Sequence, residues 1–405
     1  MLKLKNCVLI LMVLIFFHGI IPGEKINSND MYLKKKVLSD EIVLFTCGDV
    51  MTGRGIDQVL PHSVDPDLYE TYVKDARRYV KIAEEEGGVI PFPVSYAYIW
   101  GDALEVWKQM NPLFKIINLE TSITTHDEPW PGKGINYRMH PENTDVLKVA
   151  GIDYCSLANN HTLDWKQVGL LETMDALSKV GIKYSGAGRD LNSARAPSIL
   201  EKQGKRVFVY AYGSVSSGIP MNWKASENMP GINVITELDD ANIEKIASRI
   251  KSEKQPGDIV VFSIHWGSNW GYNVPALQKE FAHQLIDKAG VDIIHGHSSH
   301  HPRPIEVYNN KLILYGAGDF INDYEGITGH EQYRDDLTLM YFPVINTQDG
   351  TIVSMKMIPM KIENFQLNHV SSGDARWLQS VLDREGDEFG TGIVLNQDNS
   401  LTLTW

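Results

Sequence analysis

Ile293-Ile294-His295-Gly296-His297-Ser298-Ser299-His300-His301 places four histidines within seven residues, directly after an apolar run. Upstream, Ile259–Ile264 runs apolar into His265-Trp266-Gly267, and Ser156-Leu157-Ala158-Asn159-Asn160-His161 repeats the arrangement. In each case a buried-strand pattern ends in side chains that carry imidazole or carboxamide. Such groups gathered at the C-terminal ends of parallel strands are the usual material of a metal site in an α/β protein.

Working outward, further apolar runs at Ile42–Thr46, Lys115–Leu119 and Val207–Tyr212 join Tyr154–Ala158, Ile259–Ile264 and Asp292–His295 as strands. Between them the spacing predicts helices over Asn143–Ala150, Gln167–Val180, Asp239–Ser252 and Ala276–Ala289, with Gly181 and Gly290 as C-cap signals. Alternating strands and helices give an α/β fold of mostly parallel sheet covered by helices. After His301 the pattern changes to antiparallel hairpins. Ile305–Tyr308 and Leu312–Tyr315 flank Asn309-Asn310, and Leu337–Ile345 and Thr351–Ile358 flank Thr347–Gly350. Residues 41–365 read as one α/β domain, with residues 366–405 forming a helix and a hairpin packed on it. Residues 58–98 interrupt the pattern with prolines, tyrosines and the charged helix-like stretch Tyr72–Glu86. An insertion of that length at the ligand-bearing end of a sheet is a candidate lid or binding surface.

The chain's 405 residues can bury a large core, and a composition of 43% hydrophobic and 22% charged residues is that of a globular protein. A net charge of −13, with no basic stripe beyond Lys34-Lys35-Lys36, argues against nucleic-acid binding. Lys3 and Lys5 precede an apolar run from Cys7 to Ile21 and then Pro22-Gly23. Residues 1–23 therefore read as a secretory signal or an uncleaved membrane anchor, and residues 24–40 as a polar linker. The protein is expected to be secreted or membrane-anchored and to work outside the cytoplasmic membrane. Cys47 and Cys155 sit near strand ends, open to a single bridge or to two buried thiols, and no CxxC occurs.

Asp49, after Gly48, and Glu120, after Asn118-Leu119, put carboxylates at two further strand tips. Taken singly, each motif has an ordinary explanation. A strand-end acid commonly caps the next helix, Asn160 suits a turn, and His265 could be a core histidine. The cluster at 295–301 could be a pH-sensitive surface or an adventitious metal scavenger. Taken together, five strand ends offer nitrogen and oxygen ligands without thiolate. That set favours one or two divalent ions, Mn, Fe or Zn, over a structural cysteine–zinc site. A carboxylate between two such ions, with imidazoles around them, suits phosphoester hydrolysis.

The order of the motifs resembles the CapA family, which serves poly-γ-glutamate capsule synthesis and has a calcineurin-like metallophosphatase fold. The motifs are Gly-Asp-Val-Met-Thr-Gly-Arg (48–54), Asn-Leu-Glu (118–120), Asn-Tyr-Arg-Met (136–139) and Ala-Asn-Asn-His-Thr-Leu-Asp-Trp (158–165). Ser-Gly-Ala-Gly (185–188), His-Trp-Gly (265–267), Gly-His-Ser-Ser-His (296–300) and Tyr-Gly-Ala-Gly-Asp-Phe (315–320) follow in order. The resemblance spans about residues 42–325. It implies that Asp49 and His300 bind a first metal, that Glu120 bridges, and that Asn160, His265 and His297 bind a second. His161 would be the general acid. Arg54 and Arg138 are expected at anion contacts or in surface salt bridges, and Asp319 would assist substrate binding or cap the following turn.

Three departures stand out. Metallophosphatases typically carry Asp-x-His in the first motif, where this chain has Met51, which leaves the first metal three protein ligands. The family usually shows Gly-His-His-Pro-His and Gly-Asn-Phe in place of Gly-His-Ser-Ser-His and Gly-Asp-Phe. His295 and His301 take no role from the resemblance. The function implied is synthesis or export of an anionic polymer, with membrane-bound synthase components as partners. A metal-dependent phosphoesterase acting on another phosphate substrate, and a non-catalytic metal-supported binding module, are the alternatives.

Overall fold

The computed structural model describes residues 40–327 and 329–405. The signal or anchor expectation, and all of the polar linker but Asp40, lie outside the described residues. Among those described, no helix is long and apolar enough to cross a membrane.

The first sheet is built around strand β1 (Glu41–Val50), whose last seven residues are all buried. A strand covered on both faces reads as an unbroken apolar run. On one side β1 pairs in parallel with β2 (Phe114–Leu119), which pairs with β3 (Tyr154–Ser156) and then β4 (Lys183–Ser185). The second sheet has a parallel centre of β5 (Lys205–Ser214), β6 (Ile259–His265) and β7 (Ile293–His297). It ends in the hairpin β8 (Ile305–Tyr308) and β9 (Lys311–Leu314), with β9 parallel to β7. Asn309 and Asn310 both adopt positive φ, +48° and +59°, as a two-residue turn matched to strand twist requires. The chain then returns to the first sheet. There β10 (Asp319–Ile321) joins β1 in parallel, and β11 (Leu337–Asn346) joins it antiparallel and pairs with β12 (Ile352–Glu363). The strands β13 (Gly392–Leu395) and β14 (Leu401–Thr404) extend that antiparallel edge.

Strand alternation explains the layers. Neighbouring side chains on a strand face opposite ways, so Leu44, Ile116, Val207 and Val261 meet in a core between the two sheets. Phe45 and Ile117 face outward, where the first sheet is covered by Leu170, Met174 and Leu177 of the helix α1 (Lys166–Val180). On the far side, Phe208 and Phe262 pack against Ile243, Ile246 and Ile250 of α2 (Asp240–Glu253) and Phe281 and Leu285 of α3 (Ala276–Asp287). The result is a layered α/β fold, with helices outside two mostly parallel centres and antiparallel hairpins added toward the C-terminus.

Some local expectations shift. The insertion helix begins at Arg77 and runs to Gly87, later than the charge pattern predicts. The stretch predicted as Asn143–Ala150 begins with a 3-10 turn at Pro141–Thr144 before a short helix, Asp145–Val149. Cys47 and Cys155 are both free and buried.

Candidate metal and acid–base site

The parallel strands β1, β2, β3, β6 and β7 bring their C-terminal tips to one cleft of about 560 Å³. At the first sheet's tip the chains run unusually close. A Cβ at Gly48 would lie 1.7 Å from the Gly318 carbonyl oxygen, and the Asp49 N–H donates to that oxygen at 2.9 Å. Only glycine permits the approach. Asp49 is thereby set in register with Asn118 on one side and Asp319 on the other. Asn118 Nδ2 then donates to Asp49 Oδ1 at 2.7 Å and to Glu120 Oε2 at 2.6 Å, holding the two carboxylates together.

The second sheet supplies nitrogen. His265 and His297 are strand partners, and their Nδ1 atoms lie 2.8 Å apart. His265 Nε2 lies 2.9 Å from Asn160 Oδ1 and 3.6 Å from Glu120 Oε1. One ligand atom each from Asp49, His265 and His297 lies within 4.8 Å of the others, and all three residues are buried. His300 Nδ1 is 3.0 Å from each Asp319 oxygen.

Burial shapes the charge states here. It pushes the Asp49 carboxyl up to about 8, with the Asp319 charge adding to the effect, and it drives Glu120 well above its usual range, with Asp49 adding. Burial likewise drives His265 and His297 well below the ordinary histidine value. Clustered carboxylates that resist ionisation and neutral imidazoles with free lone pairs form a site short of positive charge. The donor set, oxygen and neutral nitrogen without thiolate, fits a divalent ion such as Mn, Fe or Zn.

Beside these groups lies a histidine–carboxylate pair. His161 Nδ1 is 2.7 Å from Asp164 Oδ2, and its Nε2 is 3.9 Å from Glu120 Oε1. The Tyr137 ring stacks on the imidazole at 4.0 Å. Lys133 Nζ lies 2.7 Å from Asp164 Oδ1. Burial, reinforced by the Lys133 charge, lowers the His161 pKa to about 4. His300 is the exception among these rings: burial lowers its pKa, but the charges of Asp319, Asp49 and Asp335 and the Asp319 hydrogen bond together raise it.

Asp49, Glu120, Asn160, His161, His265 and His300 all line the cleft. His297 lies just behind them against His265, and Asp319 against His300. Arg54 also lines the cleft, but its guanidinium is committed to Asp323 and, at 2.8 Å, to Glu70. Arg138 is elsewhere: it donates to the His126 and Asp65 carbonyls and lies over the Trp165 ring at 3.9 Å. Met51 is buried, and its sulfur accepts the Gly53 N–H at 3.2 Å. Sequence reasoning gave no role to Asn118, Tyr137 or Asp164, though their motifs were quoted, and did not reach Lys133. Asp164 stands three residues after His161 in a quoted motif, a spacing that could have suggested the pair. Lys133 carried no signal beyond its flanking glycines.

Comparison with known proteins places this geometry in a family. Residues 43–324 match the family described as "Bacterial capsule synthesis protein PGA_cap". A probable polyglutamine synthesis accessory protein of Mycobacterium tuberculosis is 43% identical over 366 residues, covering 90% of this chain and 96% of that protein. The PGA biosynthesis protein CapA of Bacillus subtilis is 27% identical over 310 residues, 76% of this chain and 70% of that one. Among solved structures, a hypothetical protein from Thermus thermophilus aligns with 79% of this chain and 99% of its own, at 12% identity and a TM-score of 0.42. With the family match covering most of its length and one such relative matched across nine-tenths of it, the chain belongs to the bacterial capsule synthesis protein family PGA_cap, the CapA family that its strand-end motifs resemble.

Proposed function

We propose that this protein is a metal-dependent accessory factor in the synthesis or export of an anionic capsule polymer such as poly-γ-glutamate, working outside the cytoplasmic membrane beside membrane-bound synthase components. The observation that carries the metal reading is the convergence of Asp49, His265 and His297, from two separate sheets, within 4.8 Å of one another. The polymer class rests on the names of the relatives, and the location on the basic and apolar pattern of residues 1–23.

Asp49, Glu120, Asn160, His265, His297 and His300 would hold one or two divalent ions. Bound there, such an ion supplies Lewis-acid polarisation of a phosphoryl or carboxyl oxygen. The chain's own groups would do the rest. Asn118 fixes the spacing of Asp49 and Glu120. Asp164 Oδ2 and Lys133 Nζ both reach His161 Nδ1, at 2.7 and 3.0 Å, which fixes the ring and leaves Nε2 turned to the cleft as the proton-handling atom.

That pairing favours a second reading, hydrolysis of a phosphoester, since a passive polymer-binding surface has no use for an oriented imidazole. The test of both begins with metal content, measured by elemental mass spectrometry on the wild type and on His265→Ala and His297→Ala. Bound Mn, Fe or Zn that falls in both variants supports the reading. A folded wild type that binds no metal after loading defeats it. Phosphoester turnover lost in His161→Ala with metal retained selects the hydrolase, and polymer loss in cells without turnover selects the accessory role.

A further inference from the structure

The cleft has two chemically different parts. Its buried end is the acid and imidazole cluster, where Asp49, His265 and His297 offer ligand atoms within 4.8 Å of one another. Its outer lining is apolar. Tyr72, Val73 and Ile82 come from the insertion, Ile135 from the loop that carries Lys133, Trp270 from the loop after β6, and Ile327 from the loop after β10.

These segments meet one another. A Cβ at Gly326 would lie 2.4 Å from Ile82 Cγ2, so the loop after β10 packs directly on the insertion helix. Trp270 stacks on His330 of that same loop, with ring centroids 3.9 Å apart. The Tyr324 and Tyr137 hydroxyls lie 2.8 Å apart, and the Tyr137 ring stacks on His161, which joins the lining to the ionisable groups. Yet Tyr72 and Ile327 remain 78% and 44% exposed. Large apolar side chains left in water around a cavity of ligand size have an apolar partner to gain.

Charge points the same way. Among the described residues that line the cleft, the lysines and arginines are Arg54 and Lys133. Arg54 is held by Glu70 and Asp323, and Lys133 by Asp164 at 2.7 Å. Asp49, Glu120 and Asp335 line it as acids. A run of γ-glutamate carboxylates would meet acids and engaged cations there, each losing water without gaining a partner. A single anionic head needs one cation, which an ion at Asp49, His265 and His297 would supply.

We infer that the cleft takes the phosphate ester of an apolar alcohol, with its phosphoryl group at the buried cluster and its chain or ring against Tyr72, Ile82, Trp270 and Ile327. This rests on the metal reading above and narrows its hydrolase form to a substrate class. It also gives the insertion a use, since that segment supplies half of the apolar lining.

The test is calorimetric binding of methyl-, butyl- and hexylphosphonate to the manganese-loaded protein, beside a short γ-glutamate oligomer. Affinity is expected to rise by about 3-fold per methylene, a little under the gain for full burial. The double variant Tyr72→Ser with Ile327→Ser changes only exposed side chains. It should bind hexylphosphonate about 10-fold more weakly and methylphosphonate as before. Equal affinity for methyl- and hexylphosphonate overturns the inference. So does an oligomer that binds more tightly than hexylphosphonate, or a double variant with unchanged hexylphosphonate affinity. A protein that takes up no manganese defeats the parent reading instead, and methyl NMR then decides the apolar part. Hexanol should shift the Ile82, Ile135 and Ile327 methyl signals with or without the ion, and unmoved signals overturn the inference.

Discussion

His295 Nε2 lies 2.6 Å from the Cys47 carbonyl oxygen, a buried polar tie from the second sheet to the first. Ser263 Oγ approaches the other ring nitrogen at 3.3 Å. This histidine had no role in the sequence reading, and the structure gives it a structural one. His295→Ala strips the buried carbonyl of its donor and leaves a cavity, so it is expected to destabilise the fold by ~2–4 kcal/mol. Urea unfolding of the two proteins checks this, and a loss below about 1 kcal/mol would show that the tie contributes little.

His161→Ala is expected to bind the same divalent ions as the wild type and to lower any phosphoester turnover by ~100-fold or more. Asp164→Asn should lower it less and leave the imidazole in a mixture of tautomers. The paired measurements are ion content and single-turnover rate. A rate unchanged in His161→Ala would remove the residue from the chemistry.

Arg54 belongs to the scaffold. It is buried between Glu70 and Asp323, with its guanidinium 3.9 Å from the Tyr79 ring centroid. Arg54→Ala leaves two buried acids without their cation and should cost about 3–5 kcal/mol of stability. Thermal unfolding followed by circular dichroism reads the loss. A fully stable Arg54→Ala protein would return the residue to the set of free anion contacts.

Asp57 gives the fold a pH dependence away from the cleft. Burial pushes its carboxyl up to about 6, despite hydrogen bonds from the His140 and Val64 amides and Asn143 Nδ2. Unfolded, the group titrates near 3.8. The folded state therefore holds this proton more tightly. The group's contribution to stability is fully present below about pH 4 and is lost as pH rises through about 6. Relative to Asp57→Asn, the wild type should lose on the order of 3 kcal/mol across that window. Urea midpoints of both proteins at each end of the range decide it, and parallel pH profiles would refute the assignment.

The parallel strands were legible because burial on both faces writes an uninterrupted apolar run. The same fact hid their division between two sheets, since Leu44 and Phe45 face different cores yet are equally apolar. The strand-tip donors were legible too, because ligand-type side chains directly after such runs are conspicuous. What stayed hidden depends on chain path. Arg54 meets Asp323, 269 residues away, and Lys133 reaches Asp164 from an irregular loop with no periodicity to read. Arg138 was misleading for a related reason, as its partners are backbone carbonyls, which no sequence pattern marks.

The division of the donors between two separately hydrogen-bonded sheets has a mechanical corollary. Asp49 and Glu120 hang from one ladder, and His265 and His297 from another. Under the proposed metal binding, an ion gripped by both would act as a rivet across the seam, so loading and unloading it would alter how readily the halves part. Chelation should then expose the inner faces to proteolysis before either ladder melts, and the protein's lifetime would follow the local supply of the ion.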